Sequence, residues 1–165
     1  MQKRLIGKYF TFKFSGRKSD ISGVVLAYNE NYTLIRTIVD YTADGYTIFK
    51  NAKVEHCFGD HEKVATKILK LKNYSSDEEP NIPIDKLANI FSFLSDNYKL
   101  IQLDTKKGDA SDVVRYLGQG GKFYLFDELT TTGKWRYKLR LPEQECRFIS
   151  FDNNYLNALK LITKF

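Results

Sequence analysis

The 165-residue chain is expected to be mainly β, folded as two tandem five-stranded small barrels. Each barrel closes with a short C-terminal helix, and one more helix follows the linker between them. Three observations carry this expectation. Alternating apolar runs separated by Gly and Asn turns recur along the chain. The 12 Phe and 11 Tyr supply the bulky side chains that strands favour. Displacing the chain over itself by 91 positions lays the hydrophobic pattern of residues 9–71 on that of residues 100–162.

The displaced alignment puts Phe10 and Phe12 on Ile101 and Leu103, Leu34 on Leu125 and Tyr46 on Tyr137. One inserted residue then brings Asp60 onto Asp152. Each half reads alike. A first strand (8–14; 99–104) runs into a charged loop, then come a second strand (20–28; 111–118), a turn and a third strand (32–39; 123–130). A loop bearing Gly45 or Gly133 leads to a fourth strand (46–50; 135–141) and a short fifth (53–58; 145–151). The "GQGGK" segment from Gly118 to Lys122 reads as a hairpin turn in which Gly120 and Gly121 supply φ > 0. It is not a phosphate loop, because a strand follows it where a helix would have to begin.

Each half ends in an amphipathic segment, "DHEKVATKILKL" or "DNNYLNALKLI". Asp60 and Asp152 are the expected N-caps, with Val64, Ile68 and Leu71, or Leu156, Leu159 and Ile162, on the inner face. Between the halves, "KNYSSDEEPNIPI" combines Ser, acids and two prolines, the composition of an irregular linker. Leu87, Ile90, Phe91 and Leu94 then recur at helical spacing. The expected organisation is a first barrel over 1–72, an acidic linker over 73–83, and a helix plus second barrel over 84–165.

Charge is unevenly placed on this chain of net charge +6. Lys and Arg outnumber Asp and Glu by 13 to 7 over residues 1–72 and by 12 to 8 over 99–165, whereas 73–98 hold 1 against 5. Two basic segments flanking an acidic connector point to an acidic or polyanionic partner. No run of apolar residues has the length of a signal peptide or a bilayer span, so a cytoplasmic protein with no membrane partner is expected. Cys57 and Cys146 are too few and too far apart for a disulfide framework and are expected as reduced, buried thiols.

"ISGVVLAYNENYTLIRTI" opens with Ile21 and Gly23, runs through Val25, Ala27 and Tyr28 into the turn at Asn29, and leaves through Tyr32, Thr33 and Leu34. This order resembles the first motif of Sm-like (LSm) proteins: apolar, Gly two later, an apolar strand into an Asp-containing turn, then apolar-Asn-apolar. Asn29 stands at the family's Asp position and Thr33 at its Asn position. "IFKNAKV" resembles the second motif, with Lys50 and Asn51 standing for Arg-Gly. The resemblance covers residues 8–58; in the second half Val114 stands at the Gly position and Leu141-Pro142 at the Arg-Gly position. It implies an Sm-like or SH3-like barrel in which the turns at 29–33 and 50–51 converge, so that Tyr32 would stack a base while Lys50 meets phosphate.

"KWRYKLRL" is the sharpest charge pattern. Lys134, Arg136, Lys138 and Arg140 alternate with Trp135, Tyr137, Leu139 and Leu141, so a strand there carries four cations on one face. Such a stripe tracks phosphates or an acidic protein, or guards an exposed edge against pairing. "VEHCFGDHE" gathers His56, Cys57, Asp60, His61 and Glu62 without metal-ligand spacing, and no metal or other cofactor is expected. No nucleophile elbow and no nucleophile paired with His occurs, so no catalytic residue is assigned. The expected function is non-catalytic macromolecule binding, of RNA through the barrel surface. The alternative is a protein-interaction module such as a regulator or toxin-neutralising partner. A monomer or small oligomer is expected.

Overall fold

A computed structural model describes residues 5–105 and 111–165. Residues 106–110 of the charged loop expected between 104 and 111, residues 1–4 and the side chain of Tyr137 lie outside the described part. The fold is mainly β, with strands β1 (Tyr9–Phe14), β2 (Ile21–Tyr28), β3 (Tyr32–Val39), β4 (Thr42–Lys50) and β5 (Val54–Cys57), followed by helix α1 (Asp60–Leu71). A 3-10 turn at Ser76–Glu78 leads to α2 (Leu87–Tyr98). Then come β6 (Ile101–Asp104), β7 (Ser111–Gly120), β8 (Phe123–Leu129), β9 (Trp135–Pro142), β10 (Phe148–Phe151) and α3 (Asn154–Lys160).

All ten described strands join one antiparallel sheet in the order β5-β1-β2-β3-β4-β10-β6-β7-β8-β9. The order within the first five strands therefore recurs within the second five. Registers recur as well. Phe10 faces Gly23 and Ile101 faces Val114, while β2 is bulged between Val25 and Ala27 and β7 between Tyr116 and Gly118. A second bulge falls in β4 between Ala43 and Tyr46, opposite Arg36–Ile38, and in β9 between Trp135 and Lys138, opposite Asp127–Leu129. Bulges bend and twist a strand locally, so each half curves at equivalent places. Phe12 faces His56 where Leu103 faces Ile149, so the last strands differ in position by one more residue than the sequence pattern suggested.

The halves are joined by β4 pairing with β10, Phe49 opposite Phe148 and Tyr46 opposite Phe151. One apolar cluster lies inside the first half: Phe10, Phe12, Ile21, Val25, Ile35 and Phe49, completed by Phe148 from the second. A larger one gathers Leu34, Ile48, Ile101, Phe126 and Phe151 with the buried face of α2, where Leu87, Ile90, Phe91 and Leu94 are buried as their spacing predicts. Among the described residues no helix is long and apolar enough to cross a membrane.

Several expected boundaries move, each for a local reason. The loop at 40–45 shrinks because Asp40 and Tyr41 both take positive φ (47° and 60°), making a two-residue hairpin turn, and β4 starts at Thr42. Gly45 is thus a kink inside the strand at φ +71°, where a Cβ would lie 2.5 Å from the Phe151 carbonyl oxygen. In the β7–β8 hairpin only Gly121 of the two expected turn glycines has positive φ. The strand expected at 145–151 starts at Phe148, because Glu143–Glu145 form a 3-10 turn after Pro142. Likewise β6 starts at Ile101, since Lys99 leaves α2 at φ 69°.

The helices shift too. Gly59 caps α1 and Asn153 caps α3, replacing Asp60 and Asp152, and the Asn153 side chain accepts from the Leu156 N–H. The inner face of α1 is Glu62, Ala65 and Leu69, while Val64 and Leu71 are exposed. Glu62 occupies a core position because its carboxylate is satisfied there, accepting from the Thr11 hydroxyl at 2.7 Å and the Gly59 N–H at 2.7 Å. In α3, Leu156 and Leu159 are buried and Ile162 is exposed. Cys146 is buried but Cys57 is only half-buried.

Candidate binding surfaces

Asn29, Tyr32, Thr33, Lys50 and Asn51 come together at the turn ends of β2, β3 and β4. Antiparallel pairing of Tyr32 with Lys50 places them side by side. The Asn29 carboxamide oxygen accepts from the N–H groups of Asn31 at 2.8 Å and Tyr32 at 2.7 Å, the bond pattern that makes Asn a turn residue. The Thr33 hydroxyl donates to the Asn51 side-chain oxygen at 2.6 Å, and Asn51 donates back to the Asn29 carbonyl at 2.7 Å. Tyr32, Lys50 and Asn51, with Lys86, Gln119 and Tyr124, border a cleft of about 730 Å³.

These groups are occupied by the chain itself. Asn29 Nδ2 donates to the Ile84 carbonyl at 2.7 Å, which ties the turn to the segment preceding α2. Lys50 Nζ donates to the Glu143 carbonyl at 2.8 Å and lies 3.8 Å from its carboxylate. Tyr32 is 4% exposed, and its hydroxyl reaches the same carboxylate at 3.4 Å. Burial and the Glu143 carboxylate raise the Tyr32 phenol above its ordinary range, so it stays protonated and donating. The ring that the sequence offered for base stacking is a core ring in this arrangement.

The cations of β9 have a different setting. Lys134, Arg136, Lys138 and Arg140 are all exposed, whereas Leu141 is buried and Trp135 and Leu139 are half-buried. The β9 register slips by one residue between Trp135 and Lys138, so the expected single stripe is divided: Lys138 and Arg140 lie on the face of Asp127 and Leu125, whereas Arg136 turns to the opposite face with Glu128 and Lys134 precedes the strand. Arg136 meets Glu128 at 2.9 Å, and the Arg140 guanidinium lies 4.7 Å from the centre of the Phe123 ring, itself 37% exposed. Asp127, opposite Lys138 in the register, is held by both Nε and Nη2 of Arg115 at 3.0 and 2.8 Å. Arg115 also stacks on Trp135 at 4.0 Å. The face of Lys138 and Arg140, with Arg115 offsetting Asp127, therefore keeps a net positive potential beside the exposed Phe123 ring.

One polar feature was missed in the sequence. The hydroxyls of Thr37, Thr47 and Ser150 form a row, 2.9 and 3.2 Å apart, across β3, β4 and β10. They lie in a cleft of about 540 Å³ that also takes in Asp20, Asp40, Asp44 and Gln102. Inward hydroxyls on alternate strand positions were the available signal, but only the β4–β10 pairing brings Ser150 to Thr47. Glu79 of the acidic linker was likewise read only as composition. It accepts from the Tyr46 hydroxyl at 2.6 Å and lies 3.5 Å from Arg36, whose guanidinium covers the Tyr46 ring at 4.3 Å.

Among the described residues no three His, Cys, Asp or Glu side chains converge in a way that would hold a metal ion. Comparison with protein-family models, with curated proteins and with solved structures finds no match to this chain. Two surfaces stand out: one cleft whose polar groups are engaged internally, and one exposed strand rich in cations.

Proposed function

We propose that the chain is a non-catalytic binding protein of two fused Sm-like units that docks an acidic macromolecule on the outer face of β9. The recurrence of strand order, register and bulges supports reading residues 1–72 and 99–165 as two copies of one unit. The carrying observation for the surface is the exposure of Lys134, Arg136, Lys138 and Arg140 along the strand at the end of the sheet, with Lys138 and Arg140 sharing one face. Coulombic attraction there is screened by salt and falls off within a Debye length of about 8–10 Å, so binding is strongest at low ionic strength.

RNA is the partner that the sequence suggests, through phosphate contacts that carry no base preference. An acidic protein segment is the second reading, favoured because Asn29, Tyr32 and Lys50 are bonded to Ile84 and Glu143 and not presented to a base. The test is titration of fluorescent single-stranded RNA and of polyglutamate at several salt concentrations, with wild type and with Lys134, Arg136, Lys138 and Arg140 all changed to Gln. For RNA the slope of log K against log salt flattens by about 0.7 for each phosphate contact removed. Equal affinities and slopes for the two proteins would remove the β9 surface from the account.

A further inference from the structure

Within the first half the fourth strand, β4, does not end the sheet: its outer edge is covered antiparallel by β10. In the second half β9 holds the corresponding place, next to β8 as β4 is next to β3, and among the described residues no strand covers its outer edge. An uncovered edge presents main-chain N–H and C=O groups at fixed spacing, a template for one more extended segment. The side chains of such a segment would alternate, and every second one would share the face carrying Lys138 and Arg140.

From this juxtaposition we propose that β9 is a strand-addition site for an extended acidic segment of a partner protein, with acids at alternate positions. The inference rests on β9 being the docking surface and deepens it by naming the occupant. Charge complementarity selects that occupant over a second copy of this chain. The other end of the sheet, β5, offers one acid, Glu55, and the exposed His56, whereas the internal joint pairs Phe49 with Phe148. RNA satisfies the cations but has no amide ladder to match the edge.

The experiment uses the full chain and a short capped peptide alternating Glu and Thr. Its comparators are the same peptide N-methylated at alternate residues, which keeps the charge and removes main-chain donors, and single-stranded RNA of equal charge. The peptide is expected to bind and to slow amide hydrogen exchange along 136–142. N-methylation is expected to weaken binding about tenfold or more, the loss of two or three main-chain hydrogen bonds. Changing the four cations to Gln should weaken both peptides. If the methylated peptide or RNA binds as tightly as the unmodified peptide and β9 exchange is unchanged, strand addition is overturned while electrostatic docking stands. If neither peptide nor RNA binds at low salt, both fail. Self-association that blocks the peptide would assign the edge to a second copy and also overturn the proposal.

Discussion

Phe49 and Phe148 face each other across the joint between the two halves, and both are buried. Phe148 belongs to the second half, yet its ring lies edge-on to Phe14 at 4.6 Å, and Phe14 in turn meets Phe49 at 5.0 Å. The first half's apolar cluster is incomplete without it. Replacing Phe148 by Ala should destabilise the chain by about 3–5 kcal/mol through lost burial and a residual cavity. Denaturant unfolding should remain one transition, because the cluster spans both halves. Two separated transitions in the wild type would refute this coupling.

Gly23 gives a sharper steric expectation. A Cβ there would sit 2.2 Å from the Arg36 carbonyl oxygen, a backbone atom that cannot swing aside. Gly23→Ala should therefore cost about 1–3 kcal/mol as strain, measurable as a lower denaturant midpoint. The equivalent register position in β7 is the fully buried Val114, so Val114→Ala should act as an ordinary cavity mutation with no strain of this kind.

Much of the sheet could be read from period-2 alternation, and the α2 face from its 3.6 periodicity, because both patterns are local. The inner face of α1 could not. Val64 and Leu71 look like core residues by hydropathy, but a buried carboxylate at Glu62, satisfied by Thr11 on a distant strand, turns the helix to another face. The clustering of Asn29, Thr33, Lys50 and Asn51 was legible from the motif, while their engagement by Ile84 and Glu143 was not. That depends on how the second half meets the first, a long-range property no single segment encodes.

Acid titration should report Glu62. Burial pushes its carboxyl up, but the Thr11 hydroxyl and the Gly59 N–H outweigh that and hold it below its ordinary value near 4.5. A folded pKa below the unfolded one adds stability that is fully present above the unfolded value and disappears as pH falls through the folded one. Glu62→Gln should cost about 1–2 kcal/mol near neutral pH. The gap between the two proteins should narrow below about pH 4.5. A gap independent of pH in urea unfolding would contradict the assignment.

The free edges argue for a monomer. The internal joint stacks Tyr46 on Phe151 at 5.2 Å and buries Phe49 against Phe148. The exposed edges carry Lys138 and Arg140 on β9, which ends at Pro142, and Glu55 and His56 on β5. Charges and proline on an edge discourage pairing with another copy. Light scattering should give the mass of a single chain, and a mass several times larger would show that these edges assemble.

The most direct test of where the partner docks is an amide chemical-shift map of the labelled full chain titrated at low salt with single-stranded RNA and, separately, with an acidic peptide. The β9 account predicts that the largest shifts for either bound probe lie within 134–142 and at Phe123. It predicts little change at Asn29, Thr33 and Asn51. Shifts concentrated at 29–33 and 50–51, with β9 unmoved, would contradict it and return the site to the motif cleft.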